Sequence, residues 1–490
     1  MQLKLKSTAV KYGGGLTQAP FLIVALTILI HSIFIYFPAV NLEFAFVGAA
    51  EYFSSLNPVQ LDQYFFYQAN TLGLSYFTHL ASVILPGASL LVLIRLANLI
   101  GLALLAVGIK KICHYSDIKN YTVLLLLIVL NPLVWTYSGR ATVDFLPVAV
   151  GIFSVSLVLG SKNIFLRSLI SGLLLGLSVV LKYHSLSLLV FMAGLLLLKE
   201  KRSVAITKVS IVTAITFLIL GFYLVIVKFG LGFWLTPEKF QKIHQLNFLN
   251  IINNFILYLG FLGLLTVPAF FLSKSFYEPL QSKWKQILII FVGLILFGAY
   301  LSTDIGELNF GPLDKFLNSQ LRLLMLSLLC LVTVMLTFMS NQKDSKIRSY
   351  LWLAIFFTLL VFSISRPAQR YLLFIIPFFI LALPEKMIEC KRLISTTIII
   401  FVLANSFIEL SRWSTGIAAM MMAEKLENEN LIAQTNPNAI EAHVGNFFFS
   451  TKETKKLYIV VTGKSDKSIF TSTAGLGIYK KSFSLEKINQ

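Results

Sequence analysis

The side chains that could do chemistry in this 490-residue chain are a small set of carboxylates and cations set between long apolar runs. Glu43, Glu51 and Asp62 lie in a stretch, Phe37 to Pro86, that contains no Lys or Arg, although the chain as a whole carries a formal net charge of +19. Asp144 follows Ser138-Gly139-Arg140, Lys182 precedes Tyr183 and His184, and Arg366 and Arg370 bracket Pro367 ahead of Tyr371. Glu307 stands in a second acidic stretch with Asp304 and Asp314. A carboxylate within hydrogen-bond reach can take the proton of an attacking alcohol. Guanidinium forks hold phosphate oxygens and stabilise charge developing on a phosphate leaving group. Carboxylates on one side and Arg and Lys on the other therefore suit a lipid phosphate and a hydroxyl. Each residue also has a plainer reading: Arg366 and Arg370 as headgroup snorkels, Asp144 as a helix N-cap, Lys182 as an interfacial anchor, and Arg95 as the partner of a neighbouring span. His79, His184 and His244 have no metal-ligand spacing to one another and receive no role. No cofactor is called for, and a divalent metal is left open.

The elements that must position these groups are membrane helices. The chain is 57% hydrophobic and only 13% charged, where average soluble domains carry about 25% charged residues. Apolar runs near the roughly 20-residue length of a bilayer crossing recur along it, and the short alternating segments of a membrane β-barrel do not. The sequence predicts an all-α polytopic membrane protein with spans near 18–37, 86–109, 121–138, 143–160, 168–183, 186–198, 209–229, 251–272, 286–302, 321–339, 350–365, 371–383 and 393–410. The positive charge is not a nucleic-acid surface. It falls in clusters in every second loop (Lys110/Lys111/Lys119, Lys199/Lys201/Arg202, Lys283/Lys285, Lys343/Lys346/Arg348, Lys386/Lys391/Arg392), which is the positive-inside pattern. Cys113, Cys330 and Cys390 imply no disulfide framework. The apolar run from Pro20 to Tyr36 is too long for a signal-peptide core and lacks a small-residue cleavage site, so it reads as an uncleaved first span.

This register places the N-terminus in the cytoplasm and the C-terminus outside, in a plasma (inner) membrane. A topology reporter fused after Ser450 is expected to be active only on the outer side, and one at Lys201 only in the cytoplasm; a cytoplasmic Ser450 reporter would sink the count of thirteen. The chain divides into a membrane domain at 1–410, whose first outer loop is 38–85, and a small outer domain at 411–490. In that loop, Glu43 to Phe53 and Leu61 to Tyr76 have the apolar content of interfacial helices. In the tail, Ile417 to Ala433 reads as a helix, and Lys456–Val461 and Ile478–Phe483 as short strands of a small α/β unit.

These residues also carry a resemblance. Asn131-Pro132 followed by Ser138-Gly139-Arg140 and Asp144 resembles the third-to-fourth span junction of the GT-C membrane glycosyltransferases. The stretch from Gly172 through Gly176 to Lys182-Tyr183, Arg95-Leu96, and Arg370-Tyr371 leading to Pro377 are similar to that group as well. The protein-mannosyltransferase and aminoarabinose-transferase enzymes are the relatives meant, and the likeness runs from about 37 to 384. It implies thirteen spans, an outward-facing active site, a polyprenyl-phosphate sugar as donor and usually inversion at the anomeric carbon. Relatives carry an acidic pair just after the first span, where this chain has Asn41-Leu42-Glu43, so the resemblance assigns the base to Glu43 with Asp62 as its alternative. Asp144 would orient acceptor or sugar. Arg366, Arg370, Lys182 and Arg140 would hold the donor phosphate, with Tyr183, Tyr371 and Glu307 in support.

The expected function is transfer of a sugar from a polyprenyl phosphate to a lipid, glycan or protein acceptor on the outer face of the membrane. Two other classes fit less well. An O-antigen-type polymerase or ligase concentrates Arg and His in a large late outer loop, whereas the large outer loop here is the first and has no Arg. A lipid-linked sugar transporter or flippase would show internal repeats and ionisable residues at the midplane.

Overall fold

The computed structural model describes residues 19–37, 43–67, 71–241, 250–270, 318–341, 346–365, 367–429, 433–435, 458–475 and 480–487, with positions 39, 288 and 292. The ninth expected span (286–302), apart from positions 288 and 292, lies outside the described residues, as do Glu307 and Arg366.

Apolar sequence becomes helix here because only helices satisfy their own backbone in lipid. In chain order these are α1 (Ala19–Ile33), α2 (Glu43–Ser55), α3 (Pro58–Tyr67), α4 (Gly73–Ile84), α5 (Leu90–Tyr115), α6 (Tyr121–Leu130), α7 (Pro132–Ser138), α8 (Phe145–Val158), α9 (Ile164–Leu181), α10 (Leu188–Lys199) and α11 (Arg202–Leu231). There follow α12 (Glu238–Gln241), α13 (Ile251–Phe270), α14 (Ser319–Asn341), α15 (Lys346–Phe362), α16 (Ile376–Leu381), α17 (Glu385–Glu389) and α18 (Lys391–Asn428). Tyr183–Ser187 and Gln369–Phe374 are 3-10 turns between helices.

Among the described residues five helices are long and apolar enough to cross a membrane, and six if the bent pair α6–α7 is one span. The protein is thus a multi-pass membrane protein, but the described helices do not establish the count of thirteen. Several expected spans are short: α8 has 14 residues, and at 1.5 Å per residue it reaches about 21 Å of an about 30 Å hydrocarbon core. The α11 window is apolar yet only 11% buried inside the protein, which is the surface of a lipid-facing helix. Its inner face packs on α9, where Gly172 and Gly176 leave room for Ile215 and Ile219; a Cβ on Gly172 would stand 2.7 Å from the Ile215 Cβ.

Three departures from the sequence reading matter for the site. The expected single span at 121–138 breaks at Asn131-Pro132 with a 64° bend. Pro132 cannot continue the helix, and the Asn131 side chain accepts the Leu133 N–H at 3.0 Å to start a new one. The first outer segment forms three helices rather than two. α2 and α3 bury Ala45, Phe46, Ala49, Leu61, Tyr64 and Phe65 within the protein. It is α4 that exposes an apolar stripe of Tyr76, Phe77, Leu80, Val83 and Ile84 at helical spacing. The expected separate helix at Ile417–Ala433 is instead the continuation of α18, which runs unbroken through 410 and 411. No proline interrupts that stretch, and the Ser414 and Thr415 hydroxyls bond back to the carbonyls of Leu410 and Ser411 within the helix.

The end of α18 packs Ala418, Ala419, Met422 and Leu426 against Val460, Phe483 and Leu485 of a four-stranded sheet. Its strands are β1 (Ala433–Thr435), β2 (Tyr458–Thr462), β3 (Ser468–Ala474) and β4 (Lys481–Lys487), in the order β1-β2-β4-β3. β1 and β2 are parallel; β2–β4 and β4–β3 are antiparallel. Ala433, expected to end a helix, opens β1, and β3 is a strand the sequence reading missed because its Ser and Thr residues look like turn material.

Candidate active site

The turn between α7 and α8 carries Asp144 at the N-cap position of α8, but its side chain makes no capping bond. The carboxylate pairs instead with Lys182, whose Nζ donates to Asp144 Oδ1 in a close contact. Lys182 is where α9 stops: its backbone is extended (φ −161°, ψ 115°) and the chain turns into the Tyr183–Ser187 segment. Both side chains are buried, so neither the exposed anchor nor the simple helix cap describes them. Arg370 joins from the Gln369–Phe374 turn, its Nε 4.0 Å from Asp144 Oδ1. Arg370 is buried rather than snorkelled to a surface.

The floor of this cluster is aromatic. Lys182 Nζ stands 5.2 Å and Arg370 Cζ 5.5 Å from the Tyr371 ring centroid. His184 stacks on Tyr371 at 4.2 Å and on Tyr183 at 4.8 Å. Cations over aromatic faces gain attraction when desolvated. The first outer segment lies across the end of α9: Thr71 Oγ1 donates to the Leu181 carbonyl (2.7 Å), and Tyr64 Oη donates to the Thr71 carbonyl (2.6 Å). A carboxylate, two cations and a ring platform thus converge from three segments, the first two 38 residues apart and the third far downstream in the sequence.

Glu43 stands in a neighbouring cluster. It is fully buried at the start of α2, with Arg95 Nε donating to Oε1 (3.1 Å) and Arg95 Nη2 to Oε2 (2.7 Å). Ala141 N–H donates to Oε1 at 2.5 Å, and Arg412 Nη2 lies 4.0 Å away. Burial raises the carboxyl, but Arg95, Arg412 and these hydrogen bonds overcome it and hold Glu43 at about 2. Such a carboxylate is a weak proton acceptor. Arg95 also donates from Nη1 to the carbonyls of Phe34, Ile35 and Phe37, closing the end of α1. Its sequence reading as an interhelical partner describes what it does.

Asp62 is elsewhere, half-exposed and paired with Lys239 at 2.6 Å, a surface tie between two outer segments. Arg140 is half-buried on the Asp144 turn. The sequence reading missed Glu409 and Arg412, three residues apart on α18: it gave Glu409 no role at the end of the last span and placed Arg412 beyond it. Glu409 accepts from Trp135 Nε1 (2.9 Å) and lies 3.7 Å from His31 Nδ1 and 3.8 Å from Arg412 Nη1. An ion pair within an apolar helix was the available signal. Among the described residues no three His, Cys, Asp or Glu side chains are grouped to hold a metal.

No family model and no curated protein matches this chain. Among solved structures it is similar to the crystal structure of ArnT from Cupriavidus metallidurans in the apo state, at 11% identity and a TM-score of 0.42 over 87% of this chain and 84% of that one. It is likewise similar to the structure of that protein bound to undecaprenyl phosphate, at 10% identity and a TM-score of 0.42 over 95% and 97%.

Proposed function

We propose that the protein is a GT-C-type membrane glycosyltransferase that moves a sugar from a polyprenyl phosphate to an acceptor hydroxyl at the outer face of the plasma membrane. The observation that carries this reading is the buried Asp144–Lys182–Arg370 cluster on its Tyr371 floor. Buried charges in a membrane protein are costly and mark functional sites by default. In the proposed reaction the acceptor oxygen forms a bond to the anomeric carbon while the bond from that carbon to the phosphate oxygen breaks. The electron pair leaves with the lipid phosphate, whose charge Lys182 and Arg370 meet, and Asp144 takes the acceptor proton. Donor binding would draw Lys182 and Arg370 towards the phosphate and free the Asp144 carboxylate for that role. Arg366 and Arg140 are proposed to assist at the phosphate, and Tyr183, Tyr371 and Glu307 to support.

Asp144 is preferred over Glu43 as the base because Glu43 has both oxygens committed to Arg95 and Ala141, and over Asp62 because Asp62 sits at the Lys239 surface tie. The reading is tested by supplying polyprenyl-phosphate sugars to purified protein in liposomes and following release of the polyprenyl phosphate. Arg370→Ala is expected to weaken binding of a polyprenyl monophosphate by roughly ten- to a hundredfold, since charge-assisted contacts contribute about 1.5–3 kcal/mol, and Lys at that position should keep part of it. Unchanged affinity in the Ala variant would remove Arg370 from the phosphate site. Failure to turn over any sugar donor, with accumulated lipid-linked sugar absent from cells lacking the protein, would remove the transferase reading.

A further inference from the structure

The N-terminus of α8 shows an exchange of partners. An aspartate at the N-cap ordinarily accepts from the backbone N–H of the second or third helical residue. Here those residues are Leu146 and Pro147, and proline has no N–H, so Leu146 is the single target. Asp144 does not take it. The Leu146 N–H donates to Asn98 Oδ1 on α5 at 2.9 Å. The same Asn98 donates from Nδ2 to the carbonyls of Arg140 (2.7 Å) and Thr142 (2.9 Å). Asn98 is fully buried, one turn beyond Arg95 on α5, where an unsatisfied amide would be costly, and it spends its carbonyl and amide on this one turn. α5 comes close enough to do so because Gly101 faces Phe145, the first residue of α8; a Cβ there would stand 3.2 Å from the ring.

We propose that Asn98 is a positioning residue of the transfer site: by capping α8 from a neighbouring helix it relieves Asp144 of that role and leaves the carboxylate to Lys182 and Arg370. This rests on the function proposed above, but its structural half stands without it. Removing the Asn98 amide leaves the part-buried Leu146 N–H without its present acceptor. The Asp144 carboxylate, at the N-cap two residues before it, is the group expected to take that N–H, with the backbone of Asp144 shifting from its helical conformation to allow it.

The test is Asn98→Ala, read in two ways. In the liposome assay, with a sugar donor that the wild type turns over, kcat should fall roughly ten- to a hundredfold, the scale of a reacting group displaced by about 1 Å. The KM for the donor should not rise, because Lys182 and Arg370, released from Asp144, remain available to the phosphate. A cryo-electron-microscopy structure of the variant should show Asp144 turned onto the Leu146 N–H and away from Lys182. An unchanged kcat, or a carboxylate still on Lys182, overturns the proposal; so does a kcat loss matched by an equal rise in KM. If Asn98→Ala does not insert, Asn98→Ser, which is too short to reach the turn, takes its place on the same two readouts. If the wild type transfers no sugar, the transferase reading fails, and the position of Asp144 in the variant structure still decides the capping exchange.

Discussion

Replacing Asp144 with Asn should lower sugar transfer by about 10²–10⁴-fold, the usual consequence of losing a general base. The amide keeps the shape of the carboxylate but cannot accept the acceptor's proton. The substitution also leaves Lys182 buried, beside Arg370, without its counter-ion, and removing one partner of a buried pair typically destabilises by roughly 3–5 kcal/mol. Lost activity alone is therefore ambiguous. The double variant Asp144→Asn/Lys182→Met removes both charges, should recover much of the thermal stability lost in the single variant, and should stay inactive. Turnover within about tenfold of wild type in Asp144→Asn, measured under single-turnover conditions, would pass the role of base to another group.

Glu43→Gln should act first on stability. Glu43 is enclosed by Arg95, the Ala141 N–H and Arg412, and an amide there leaves two buried guanidinium groups facing a neutral partner. The expected loss is about 3–5 kcal/mol, partly restored by adding Arg95→Met. The same linkage predicts acid sensitivity. Because the folded carboxyl sits at about 2 against an ordinary 4.5, its stabilisation is fully present above pH 4.5 and is lost as the pH falls towards 2. By size that is about 3 kcal/mol for this one group. Thermal unfolding of the detergent-solubilised protein at stepped pH should show a drop in Tm across this window that is absent from the Glu43→Gln/Arg95→Met variant. Full stability of Glu43→Gln with collapsed turnover would return Glu43 to the role of base that the resemblance assigns it.

The sequence by itself determined the class of molecule. Long apolar runs with Lys and Arg between them specify helices in a bilayer, because transfer of the backbone into lipid leaves helix as the available local solution. It also marked candidate residues: Asp144, Lys182 and Arg370 stood out as charges beside apolar runs, and the structure brings those three together. The break at Asn131-Pro132 was not read from the sequence, which gave a single span at 121–138, although Pro132 supplies its local cause. Tertiary structure alone decided what each charge does. Glu43 and Asp144 read alike along the chain, yet one is locked between guanidinium groups and the other faces a lysine across an aromatic floor. That difference depends on Arg95 and Arg412, separated from Glu43 by 52 residues in one case and on the far side of the chain in the other. Asn98 gave no signal beyond being a polar residue in a largely apolar run; only the approach of α5 to α8 reveals that its amide closes the turn at Asp144. Periodicity reports which face of an element is apolar, whereas the state of a buried charge is set by the few neighbours within about 4 Å, and those come from remote parts of the chain.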